Sequence, residues 1–95
     1  GNMIDANTAL QYGLVNHVTT PDQLLEKALS IAAVINTKAP LAVAGCIAAA
    51  NAVFNEQKNG YEIEIETFGK LFGTADAKEG ANAFLEKRKA SFTGR

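Results

Sequence analysis

Tyr61-Glu62-Ile63-Glu64-Ile65-Glu66-Thr67-Phe68-Gly69-Lys70-Leu71-Phe72 carries two incompatible periods, and the choice between them sets the fold class. From Tyr61 to Glu66 apolar and acidic residues alternate, as in a half-buried strand. Over the whole stretch Tyr61, Ile65, Phe68, Leu71 and Phe72 fall at i, i+4, i+7, i+10 and i+11, one stripe along a helix of three turns. The longer pattern prevails: the segment is predicted to be a helix, with Ile63 off its apolar stripe.

Downstream, Thr74-Ala75-Asp76 punctuates the chain, and Asp76 with Glu79 three residues later resembles a capping box ahead of Ala77, Ala81, Phe84 and Leu85. A last helix is predicted from about Ala77 to Lys89, its final turn carrying Lys87, Arg88 and Lys89 against the negative end of the helix dipole. Upstream, Leu41 to about Phe54 is apolar all round and rich in alanine, which predicts a buried central helix clasped by other helices. Before it, Thr20-Pro21-Asp22 reads as a helix start with Thr20 as N-cap, a cap worth about 1 kcal/mol. Leu24, Leu25, Ala28, Leu29, Ala32 and Ile35 then form an amphipathic stripe that ends before Pro40. A short helix from Ile4 to Tyr12, stopped by Gly13, precedes an extended Leu14-Val15 to Val18 segment suited to one edge contact. Alanine fills 17 of the 95 positions and proline two, so the composition agrees with an all-α fold of about five helices in one domain, residues 1–95.

A net charge of -1 gives no general attraction for nucleic acid or anionic lipid. The longest uncharged stretch, Ala39 to Asn55, is too short and too weakly apolar for a membrane span. A single cysteine, Cys46, cannot form an internal disulfide, which fits the cytoplasm or an organelle matrix. A chain of this size removes only about 60–65% of its surface from water, so a neighbour is expected to complete the core, as in a homo-oligomer.

Little chemistry can be assembled from these residues. One histidine, His17, and one cysteine exclude a zinc site of nitrogen and sulfur ligands from a single chain. Cys46 sits among Ala and Ile, where a thiolate is poorly solvated, so it is expected to be a buried, inert thiol. Glu62, Glu64 and Glu66 spread around a solvated helix face rather than converging as an acid–base pair. The eight glycines are scattered and form no phosphate cradle. The run Lys87-Arg88-Lys89 is either dipole complementation or an anion site for a phosphorylated ligand. Phe68 is either a core aromatic or one flat wall against a ring.

Ile4-Asp5-Ala6 with Ala9-Leu10, Gly13-Leu14-Val15-Asn16-His17-Val18, Ala39-Pro40-Leu41-Ala42, Phe68 with Phe72-Gly73-Thr74-Ala75-Asp76-Ala77-Lys78-Glu79-Gly80, and Ala83-Phe84-Leu85-Glu86-Lys87-Arg88-Lys89 together resemble the C-terminal region of the enoyl-CoA hydratase/isomerase (crotonase) family. The resemblance implies the helical trimerisation domain of a crotonase-like fold without its N-terminal ββα spiral core. It implies a parent lyase or isomerase that adds water to, or shifts, the double bond of an enoyl-CoA thioester in fatty acid metabolism. In that family two backbone amides polarise the thioester and glutamates move protons. None of the ten acids here matches those glutamates, so the chain alone is not expected to be active and no catalytic residue is assigned. The resemblance further implies acyl-CoA as substrate with no tightly bound cofactor. Lys87 would meet the CoA phosphates, and Phe68 would lie beside the adenine, often in a neighbouring subunit's pocket. Family members often carry a lysine near Ile47, where this sequence is apolar. The competing reading is a non-catalytic helical interaction module.

Overall fold

The computed structural model describes residues 1–54 and 59–95; Asn55, the end of the uncharged stretch, lies outside the described residues. Among the described residues there are five α-helices and no strand: α1 (Ala6–Gln11), α2 (Leu24–Ile35), α3 (Pro40–Asn51), α4 (Gly60–Phe72) and α5 (Ala75–Leu85). Short 3₁₀ turns, Pro21–Gln23 and Ala52–Phe54, lead into α2 and follow α3. Two compact units divide the chain, Gly1–Ala32 and Ala33–Arg95.

In the first unit Asp5 caps α1, its carboxylate accepting the Thr8 N–H at 2.7 Å. That bond holds the Asp5 carboxyl below its usual range, because the N–H favours the charged form. Gly13, at φ 71°, closes α1 by letting the Gly13 and Leu14 N–H groups turn back to the carbonyls of Leu10 and Ala9. Leu14, Val15 and Val18 form no edge contact, since no described strand offers a partner ladder. Thr20 stands at the N-cap with Pro21 after it, but its hydroxyl donates to Gln23 Oε1 at 3.1 Å and caps no backbone N–H. The Gln23 N–H is already taken by the Thr20 carbonyl in the 3₁₀ turn, so the expected cap bond is not made.

In the second unit α3 packs on α4 through small residues. Ala42, Gly45 and Ala49 are half-buried on α3, and Ile63, Thr67 and Leu71 are half-buried on α4. A Cβ on Gly45 would stand 2.8 Å from both Leu71 Cδ1 and Thr67 Cγ2, closer than carbon atoms approach, so the missing side chain sets the helix separation. The stretch 61–72 is helical, as its longer period requires, but of the expected stripe only Leu71 lies on the packed face. Ile63 faces inward, while Tyr61, Ile65, Phe68 and Phe72 remain 78%, 71%, 67% and 72% exposed.

The central-helix expectation also needs correction. No residue of α3 is buried, and the described apolar core is Ala52 and Ala83. Among the described residues α3 packs along one face on α4, and most residues on its other sides are exposed. The chain exposes 8188 Å² in all. A compact 10 kDa protein exposes about 5,200 Å², and two separate globules of about 3.4 and 6.6 kDa would expose about 6,300 Å². The excess is surface the chain does not cover by itself.

Candidate functional site at the end of α5

Building from the start of α5, Thr74 is the N-cap, and its hydroxyl accepts the Ala77 N–H at 3.1 Å. Asp76 and Glu79 therefore do not form the expected capping box; both reach instead to the chain's last residues. Asp76 is 3% exposed and accepts the Thr93 N–H at 2.7 Å and the Gly94 N–H at 2.8 Å, while its own N–H donates to the Arg95 carbonyl at 2.9 Å. Glu79 accepts the Ser91 N–H at 2.8 Å. These partners lie 12 to 19 residues away in sequence, beyond the reach of a local motif reading.

The helix ends at Leu85 with Glu86 as C-cap, so Lys87, Arg88 and Lys89 follow α5 rather than forming its last turn. The cause is Lys87, the one described non-glycine residue in the left-handed region, at φ 53°. Its N–H returns to the Phe84 carbonyl and the Arg88 N–H to the Ala83 carbonyl, the helix closure that glycine usually serves.

The three basic side chains then part company. Arg88 makes a two-pronged pair with Glu79, Nη1 to Oε1 at 2.6 Å and Nη2 to Oε2 at 3.0 Å, while its Nε donates to Glu86 at 2.5 Å. The guanidinium and the Ser91 N–H hold the Glu79 carboxyl down to about 2, and the two carboxylates raise the Arg88 pKa in turn. Among the described residues no carboxylate lies within ion-pair distance of Lys87 or Lys89. Geometry thus assigns Arg88 to structure and leaves Lys87 and Lys89 available to an anion.

Phe68 stands against a groove of about 410 Å³ whose walls include Cys46, Leu71, Phe72, Gly80 and Phe92. Its ring lies 6.0 Å from that of Phe72, tilted by 34°. Cys46 is exposed, contrary to the expected buried thiol, because α3 is uncovered on that side. Lys87 does not line this groove, so the chain does not gather its two candidate ligand residues into one cavity. Glu62, Glu64 and Glu66 are exposed, with Glu66 3.8 Å from Lys70. His17 is exposed as well. No group of three or more described His, Cys, Asp or Glu residues could hold a metal ion. No single described helix is long and apolar enough to cross a membrane.

A family model for enoyl-CoA hydratase/isomerase matches residues 1–95. The chain is 45% identical over 92 residues to a crotonyl-CoA hydratase of Syntrophomonas wolfei, covering 96% of this chain and 35% of that protein. It is 37% identical over 93 residues to a mitochondrial enoyl-CoA hydratase of Pongo abelii, covering 97% and 32%. A crystal structure of an enoyl-CoA hydratase/isomerase from Mycobacterium paratuberculosis superposes with a TM-score of 0.86 at 36% identity, covering 97% of this chain and 37% of that one. The chain spans about a third of the length of the curated relatives it matches.

Proposed function

The chain belongs to the enoyl-CoA hydratase/isomerase family, and we propose that it is the C-terminal, oligomerising and CoA-contacting part of an enzyme that adds water to, or isomerises, an enoyl-CoA double bond. The reaction itself falls to residues upstream of Gly1, where the thioester carbonyl is polarised and protons are moved. These helices contribute Lys87 to the CoA phosphates and Phe68 to the adenine, and they join copies of the protein through their uncovered apolar faces.

The observation that carries this reading is the state of Lys87. It occupies a backbone conformation that disfavours a side chain, and the neighbouring Arg88 is neutralised by two carboxylates. An ammonium held beyond a helix end with no described counter-charge suits a phosphate. Phe68 supports it from another direction: an aromatic left 67% exposed beside an apolar groove is suited to a flat ring or to another subunit.

The test is Lys87→Ala in the full-length protein, followed by acyl-CoA kinetics. KM for acyl-CoA is expected to rise about tenfold or more with the thermal midpoint little changed. An unchanged KM removes Lys87 from the ligand, and a full-length protein without any acyl-CoA activity favours a helical interaction module.

A further inference from the structure

We infer that Glu79 is a positioning residue for Lys87, acting through Arg88; the inference rests on the reading that Lys87 meets a phosphate. Two backbone hydrogen bonds close α5 around Lys87, but they do not by themselves fix the chain that follows. The stretch directly after it, Arg88 to Ser91, is held by the Glu79 carboxylate, while Asp76 receives Thr93 and Gly94 further on. Glu79 grips Arg88 with both oxygens, immediately after Lys87, and accepts the Ser91 N–H four residues beyond it. Since Glu79 belongs to α5 itself, the segment from Arg88 to Ser91 is tied back onto the helix it has just left. Lys87 sits at the fold of this loop with φ 53°, a conformation that persists in a non-glycine residue when its surroundings impose it.

The same contacts withdraw one cation of the basic run and leave its two lysines, Lys87 and Lys89, without a described carboxylate. Arg88 spends Nε on Glu86, Nη2 on Glu79, and Nη1 on Glu79 and the Lys89 carbonyl. Its charge is compensated by two carboxylates and its fork points back to α5, so Arg88 is withdrawn from any incoming anion. Glu79 therefore acts twice: it holds the turn that projects the Lys87 ammonium, and it removes the competing guanidinium.

The experiment is a double-mutant cycle on the full-length protein, with adenosine 3′,5′-bisphosphate as the titrated probe in a calorimeter. Lys87→Ala is expected to weaken binding about tenfold or more. Glu79→Gln is expected to weaken it about fivefold in the parent and to have no further effect in the Lys87→Ala background, since coupled residues are not additive. Arg88→Gln should repeat that pattern and substitutes for Glu79→Gln if the latter does not fold. A merely structural Glu79 would give the same loss in both backgrounds, and that result overturns the inference. So does unchanged or tighter binding in Glu79→Gln, the latter meaning that the released Arg88 binds the phosphate itself. If Lys87→Ala binds as the parent does, the underlying Lys87 reading fails, and Glu79 has nothing to position.

Discussion

Replacing a glycine by alanine should have opposite effects at two helical positions of this chain, Gly45 on α3 and Gly69 on α4. In either helix the change restricts the unfolded chain and improves helix propensity, gaining about 0.5–1 kcal/mol. A Cβ at Gly69 would meet nothing within 4 Å, so that gain is realised in full. A Cβ at Gly45 would come within 2.8 Å of Leu71 Cδ1 and Thr67 Cγ2. The Leu71 tip can rotate away, but the β-branched Thr67 is stiff within its helix, so the helices must part. Overpacking of this kind costs about 1–3 kcal/mol, which exceeds the propensity gain. Gly45→Ala is thus expected to destabilise by up to about 2 kcal/mol, while Gly69→Ala stabilises by about 0.5–1. Urea titrations of the 95-residue chain, followed by far-ultraviolet circular dichroism at matched protein concentration, read both as shifts in midpoint. Adding Thr67→Ser, which deletes Cγ2, should recover part of the loss in Gly45→Ala. Equal stabilisation by both alanines would refute the close approach of α3 to α4.

Asp76→Ala removes a buried acceptor of two backbone N–H groups and is expected to cost about 3–5 kcal/mol; unchanged amide-exchange protection at Thr93 and Gly94 would contradict this. The Glu79 carboxyl is depressed from 4.5 to about 2 in the fold, so its contribution is complete above about pH 4.5 and is lost as pH falls toward 2. Thermal midpoints of the parent should accordingly fall more steeply than those of Glu79→Gln between about pH 5 and 3, and parallel curves would count against the Glu79–Arg88 pair. The 95-residue chain in isolation is expected to self-associate, because its apolar faces remain uncovered; light scattering from a monomer at high concentration would disprove it.

Helix positions were legible in the sequence because their signals are local. Gly13 ends α1, Pro40 separates α2 from α3, and the stripe from Tyr61 to Phe72 overrides a six-residue alternation. The family was legible in the same way, from the run that includes Thr74-Ala75-Asp76 and Glu86-Lys87-Arg88. Hydrophobic periodicity states that a helix has an apolar face without stating what meets it. It marked Tyr61, Ile65, Phe68, Leu71 and Phe72 as the packed side of α4; of these Leu71 alone is half-buried, and the absent Gly45 side chain draws in Ile63 and Thr67 beside it.

Charge was misread for a related reason. Asp76 and Glu79 have the spacing of a cap, and Lys87-Arg88-Lys89 that of a helix's final turn. Local sequence thus determined the helices, their order and their kinship. Tertiary structure alone decided that Lys87 turns left-handed, that Arg88 is bound to Glu79, and that Asp76 receives the chain's last amides. Backbone propensity acts over a few residues, whereas a hydrogen bond spanning 9 to 18 residues exists only once the chain has folded back on itself.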